Sequence, residues 1–236
     1  MTDPKIVSHE QWLSARKSLL AREKEFTRQR DALSAERRAM PWVRIDKDYR
    51  FQSTDGELTL ADLFDGRSQL IIYHFMYGPD WQDGCVSCSY MADGFNGIDS
   101  HLAQRDVAFA VVARAPIETL TDFRDRMGWD FRWVSSLGSD FNRDFGVTFT
   151  PEEIAAGEVD YNYRRQRFPA DEAPGLSVFS RDDNGGLFHT YSTYGRGLDM
   201  LIGAYNFLDL VPKGRDEDAL PWPMAWVRHH DRYEAT

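Results

Sequence analysis

Cysteine is scarce in this chain: two occur in 236 residues, Cys85 and Cys88. That count excludes a disulfide-stapled scaffold, which needs several bridges to replace a core. Long apolar runs are missing too, so no membrane span and no membrane partner are expected. Basic residues are outnumbered, 28 Lys and Arg against 38 Asp and Glu, for a formal net charge of −10. Such a balance is opposite to the footprint of a general nucleic-acid binder, and no nucleic acid is expected as a partner. The start, MTDPKIVSHEQW, shows neither an apolar signal core nor a small-residue cleavage site, which gives the expectation of a cytoplasmic protein. Internal repeats and low-complexity segments are absent.

What is present suffices for a substantial core: 42% apolar residues, with aromatics at 14%. Residues 9–39 read as one long helix. Ser8 suits its N-cap, Gln11 completes a capping box, Val7 and Trp12 suit a hydrophobic staple, and Pro41 supplies the stop. Trp12, Leu19, Phe26, Leu33 and Met40 recur every seven residues, flanked by Leu13 and Leu20. This narrow apolar stripe needs cover, either from the rest of the chain or from a sister subunit, so a homodimer through the N-terminal helix is one expectation.

From residue 49 onward strand-like and helix-like patterns alternate, the signature of an α/β sheet with crossover helices. A short hairpin around Asp55-Gly56 comes first. LIIYHFMY (70–77) then reads as a doubly buried central strand. A helix follows the loop GPDWQDG and runs to about residue 104. VAFAVVAR (107–114) is the next strand, 117–128 a helix ended by Gly128, and FRWVSS (131–136) a third strand. Residues 150–173 lack periodicity and read as an insertion containing a helical turn. A hairpin turning at Asn184-Gly185-Gly186 and a closing helix over 198–210 complete the pattern.

Both cysteines lie in GCVSCSY, spaced C-x-x-C. Random placement would produce this spacing on the order of once in a hundred chains, so accident is the weakest explanation. The pair falls between a buried strand and a helix start, at the carboxyl end of the sheet, where open α/β sheets place their sites. Free N–H groups and partial positive charge there favour a thiolate at Cys85, with Cys88 one turn later. A metal half-site is the competing reading, but zinc needs further ligands, and His189, His229 and His230 sit at no recognisable ligand spacing.

HFMYGPDWQDGCVSCSYMADGF, VARAP, MGWDFRWVSSLGSDFNRDFGV, GLSVFSRDDNGGLFHTYSTYGRG and LVPKGRDE together resemble the bacterial family called domain of unknown function 899, a thioredoxin-like family of predicted dithiol-disulfide oxidoreductases. The resemblance spans nearly the whole chain. It implies an α/β, thioredoxin-like fold of the redoxin type, a three-layer sandwich over 42–236, preceded by a helical extension over 1–41. It also implies Cys85 as the attacking and Cys88 as the resolving cysteine, acting on a disulfide-containing or small thiol substrate without metal or organic cofactor.

Thioredoxins place a cis-proline opposite the dithiol. Pro174, before LSVFS, is the candidate, although it lies earlier than the redoxin pattern puts it. Thiol peroxidases of the superfamily carry Thr or Ser three residues before the reactive cysteine. Gln82 stands there, which favours a disulfide reductase over the alternative of a peroxidase; a non-catalytic binding protein of the same fold is a third reading. Trp81, in the loop before the dithiol, and Arg114, at the end of the second strand, are the further candidate substrate-binding residues. His74 is expected to be a buried, hydrogen-bonded histidine, and Asp80 and Asp83 to be loop acids near the helix start.

Overall fold

A computed structural model describes residues 4–234. The chain forms two compact units, one N-terminal to Trp42 and one from Trp42 onward. In the first, α1 (His9–Arg38) starts at the expected capping box: the Gln11 N–H donates to Ser8 Oγ and the Ser8 N–H donates to Gln11 Oε1, both at 3.2 Å. Its last turn carries Arg37 and Arg38, basic groups suited to the negative end of a helix.

The second unit begins with β1 (Val43–Ile45) and the hairpin β2 (Arg50–Ser53) and β3 (Gly56–Thr59). Then come β4 (Gln69–His74), α2 (Val86–Ala92), α3 (Ile98–Ala103), β5 (Val107–Ala113), α4 (Ile117–Arg126), β6 (Trp133–Ser135) and α5 (Phe141–Asp144). The insertion supplies α6 (Pro151–Ala156), β7 (Val159–Tyr161) and β8 (Arg164–Gln166). The hairpin β9 (Gly175–Arg181) and β10 (Leu187–Tyr194) precedes α7 (Gly203–Leu208).

Eight strands form one sheet in the order β1-β10-β9-β4-β5-β6-β2-β3. At its centre β4, β5 and β6 run parallel, and β9 and β10 are antiparallel to their neighbours. A parallel β-α-β unit whose first strand also pairs with an antiparallel C-terminal hairpin is the thioredoxin-like arrangement.

Alternation along β4 divides the core between two faces. Tyr73 joins Phe75, Cys88, Met91, Val111, Leu120 and Phe123 on the side covered by α2 and α4. Leu70 and Ile72 join Leu63, Phe64, Val112, Phe141, Phe145 and Phe179 on the other, beneath α5. Helix, sheet and helix make the three layers.

The sequence pattern misses several details. Segment 43–45 adds an edge strand by pairing Val43 with His189 and Ile45 with Leu187. The helix expected over 86–104 breaks in two, because the chain turns at Gly97, where φ is 77°. The closing helix is a 3-10 stretch, Gly195–Leu201, followed by α7. The insertion holds more than a helical turn: α6 has its own capping box between Thr150 and Glu153. After it, β7 and β8 pair around Asn162 and Tyr163, both at positive φ as a two-residue hairpin turn requires.

Phe179 is fully buried on β9, with its ring 5.2 Å from Phe145 and 6.1 Å from Phe141. Phe179→Ala should cost about 3–5 kcal/mol of unfolding free energy in urea denaturation; a cost below about 1 kcal/mol would contradict this account of the core.

Candidate active site

The chain leaves β4 at His74, runs through 75–84, and enters α2 with Cys85 as N-cap. The Cys85 N–H donates to the Met76 carbonyl at 3.0 Å, which folds the loop back on its own start. In the first turn the Cys88 N–H donates to Cys85 Sγ at 3.3 Å. Both cysteines are free; Cys85 is partly exposed and Cys88 is buried. The Cys88 thiol donating to the Cys85 sulfur lowers the Cys85 pKa most, aided by the Cys88 and Ser87 N–H groups against the opposing effect of burial. Cys88 is pushed well above its usual range, first by burial, then by its hydrogen bond with Cys85 and by the charge it faces there. The two thiols are thus driven apart, Cys85 the more acidic and Cys88 beneath it the less. Although α2 is only seven residues long, its free N–H groups serve the sulfur directly.

The C-terminal segment fastens this loop. His229 Nε2 lies 3.0 Å from the Gly84 carbonyl, and Arg126 Nη2 lies 3.0 Å from His229 Nδ1. A carbonyl can only accept and a guanidinium can only donate, so His229 is neutral with its proton on Nε2. Asp83 receives Arg126 at 2.8 Å and Arg232 at 2.9 Å, and these cations hold its carboxyl low against burial. At the far end of α2, Asp93 accepts from Trp129 Nε1 at 2.9 Å and pairs with His230 Nδ1 at 2.7 Å. One strap thus grips both ends of the cysteine helix. Gly84 must be glycine here, since a Cβ would lie 2.8 Å from the Phe75 ring and 3.0 Å from Phe123.

Trp81 is half-buried, with its ring over Gly78, and its Nε1 donates to Asp171 at 3.1 Å. Arg114 Nη1 donates to Glu172 at 2.7 Å, and Thr148 Oγ1 donates to the other Glu172 oxygen at 2.8 Å. Glu172 is 1% exposed, and burial raises its pKa to about 7. The two candidate substrate residues are thus both engaged by adjacent acids at the end of the insertion. Arg114 is paired with Glu172 and is not among the groups that shift Cys85.

The cis-proline expected at Pro174 is not there: no cis peptide bond occurs among the described residues. Gly175, next in line, is already paired with His74 and Tyr194, so the backbone runs straight into β9. The Pro174 carbonyl instead accepts from Tyr161 Oη at 2.7 Å. His74 is buried as expected, bonded through Nε2 to Ser177 Oγ at 2.8 Å, and burial depresses its pKa to about 3. His189 closes a chain of hydrogen bonds through Ser192 to Ser177. Among the described residues no group of three or more His, Cys, Asp or Glu is placed to hold a metal ion, and no helix is long and apolar enough to cross a membrane.

His229, Asp93, Asp171 and Glu172 escape sequence reasoning because each meets its partner from far along the chain, His229 and Gly84 being 145 residues apart. No motif or spacing within their own segments marks them.

Strand order, the crossover to α2 and the dithiol at its start define a thioredoxin-like protein with a vicinal cysteine pair. The chain belongs to the family described as Bacterial protein of unknown function (DUF899), whose model matches residues 1–233. None of the curated proteins matches it. Similar solved structures include a cysteine-to-serine mutant of peroxiredoxin Q from Xanthomonas campestris, at 16% identity and a TM-score of 0.42, covering 67% of this chain and 90% of that one. Peroxidoxin BcpB from Mycobacterium tuberculosis is similar at 11% identity and a TM-score of 0.42, over 69% and 94%. A candidate thiol:disulfide interchange protein DsbE from Chlorobium tepidum is similar at 14% and 0.39, over 67% and 92%.

Two outcomes follow from this geometry. Iodoacetamide should label Cys85 at least about tenfold faster than Cys88, read by peptide mass mapping; equal labelling would contradict the assigned charge. Burial, with Arg126 and Arg232 nearby, lowers the His229 pKa against the pull of the Gly84 carbonyl. The unfolded chain then takes a proton near pH 6.5 and the folded chain only lower, so stability linked to His229 is complete above about pH 6.5 and is lost as pH falls through the folded value. His229→Gln should show a smaller drop in urea midpoint between about pH 7 and about pH 5 than the parent, and an equal drop would remove His229 as a source.

Proposed function

We propose that this chain is a thiol-disulfide oxidoreductase. The observation that carries the reading is the asymmetric pair: a partly exposed Cys85 whose sulfur accepts the Cys88 N–H at 3.3 Å and whose pKa is lowered, above a buried Cys88 whose pKa is raised.

The Cys85 thiolate attacks one sulfur of a substrate disulfide, forming a Cys85 mixed disulfide and releasing the other substrate sulfur as a thiolate. Cys88 then loses its proton and attacks the Cys85 sulfur. The internal disulfide forms, the second substrate sulfur leaves, and the two leaving thiolates take up protons. Two electrons pass from the dithiol to the substrate, with no metal or organic cofactor in the exchange. The substrate class is a disulfide-bearing protein or small disulfide; run in reverse, the same steps oxidise a dithiol.

Two features support disulfide exchange over peroxide reduction. Position 82, where a peroxidase has a hydroxyl, is an exposed glutamine, and the Arg114 charge is paired with Glu172 rather than free for an oxyanion.

Mild oxidation should remove two hydrogens from the intact mass, dithiothreitol should restore them, and Cys85→Ser should not reduce a model disulfide. The proposal fails if the internal bond never forms, or if activity survives replacement of both cysteines by serine. Peroxide consumption that depends on Cys85, with no turnover of disulfides, would assign the chain to the peroxidases instead.

A further inference from the structure

The face of β4 beneath α2 carries one polar group for which packing gives no use. Tyr73 has no exposed surface, and its ring is fixed edge-on against Phe95 at 5.4 Å and Phe75 at 6.2 Å. Its hydroxyl makes no hydrogen bond of good geometry to any described residue. Buried hydroxyls are nearly always bonded, and leaving one unpaired opposes folding. Phenylalanine would fill the same space without that cost. Cys88 is buried in the same core cluster as Tyr73, and its thiol raises the Tyr73 pKa next after burial while Tyr73 in turn lowers that of Cys88. Another phenol close enough to feel Cys88, Tyr161, is already committed: it donates to the Pro174 carbonyl and accepts from the Gly195 N–H at 2.9 Å.

Chemistry explains the vacant donor. In the reduced protein the Cys88 thiol donates a hydrogen bond to the Cys85 sulfur. Once Cys85 is bonded to substrate that acceptor is gone, and Cys88 must become an anion in a buried site. A donor already in place and otherwise unpartnered is what such a step requires.

Resting on the oxidoreductase reading above, we propose that Tyr73 is the hydrogen-bond donor that stabilises the Cys88 thiolate as it resolves the mixed disulfide. Tyr73 stays neutral, since burial pushes its phenol well above the usual range. It donates its O–H to the Cys88 sulfur while the Cys88 proton passes to the leaving substrate thiolate. Cys88–SH and Cys85–S–S–R thus become the internal disulfide and RSH, with no net proton on Tyr73.

Ellman's reagent separates the two steps by absorbance. The first equivalent of thionitrobenzoate reports attack by Cys85 and the second reports resolution by Cys88. Tyr73→Phe should leave the first phase unchanged, slow the second about 10- to 100-fold, move its pH midpoint upward, and melt no lower than the parent. Tyr161→Phe should leave the second phase at the parent rate. Replacement of Tyr73 by 3,5-difluorotyrosine, a stronger donor of nearly the same shape, should speed it.

A parent protein that never releases the second equivalent would sink the oxidoreductase reading and this inference with it. A biphasic parent whose second phase is unmoved by Tyr73→Phe, or slowed equally by Tyr161→Phe, would overturn the role of Tyr73 alone. So would a difluorotyrosine protein whose second phase is no faster than the parent's.

Discussion

The hydrogen bond from the Cys88 N–H to the Cys85 sulfur ties backbone geometry to reactivity, and it exists only while residues 75–84 hold Cys85 at the N-cap of α2. A sulfur that drifted from the cap would lose the donors that lower its pKa, and the buried thiol below would lose its acceptor. The surrounding structure resists that drift from several directions. The Met76 carbonyl takes the Cys85 N–H, His229 takes the Gly84 carbonyl, and Asp83 is locked between Arg126 and Arg232. Beneath them Phe75 and Phe123 close on Gly84 so tightly that no side chain fits. The position of one sulfur is thus maintained by contacts whose sequence separations run from a few residues to well over a hundred.

The insertion acts on the same site by neutralising its rim. Asp171 and Glu172 take up the polar ends of Trp81 and Arg114, two groups that would otherwise face solvent near the cysteine loop. Desolvation of Glu172 is tolerated because Arg114 and Thr148 satisfy both its oxygens. A small core of its own, with Val147, Phe149, Val159, Tyr161 and Tyr194, keeps the insertion rigid enough to deliver that acid pair.

Sequence reading recovers what local chemistry encodes. The capping box at Ser8 and Gln11, the apolar runs of β4 and β5, the hairpin of β9 and β10 and the dithiol at a helix start all depend on neighbours within a few positions. What it misses depends on contacts closed by the fold. Arg114 looks available until Glu172 reaches it from 58 residues away. Pro174 looks like a redoxin proline until the register of Gly175 with His74 leaves it an ordinary trans entry to a strand. The unpaired phenol of Tyr73 is invisible in LIIYHFMY, where it reads as one more aromatic in a buried strand.

The strap from His229 to Arg232 also imposes an order in time. During synthesis the cysteine helix leaves the ribosome long before the segment that fastens it, at a few to about twenty residues per second. With 145 residues between Gly84 and His229, the nascent chain passes several seconds or more with its cysteines present and their loop unfastened. The final fastening of the cysteine loop therefore waits on a segment made long after the cysteines themselves.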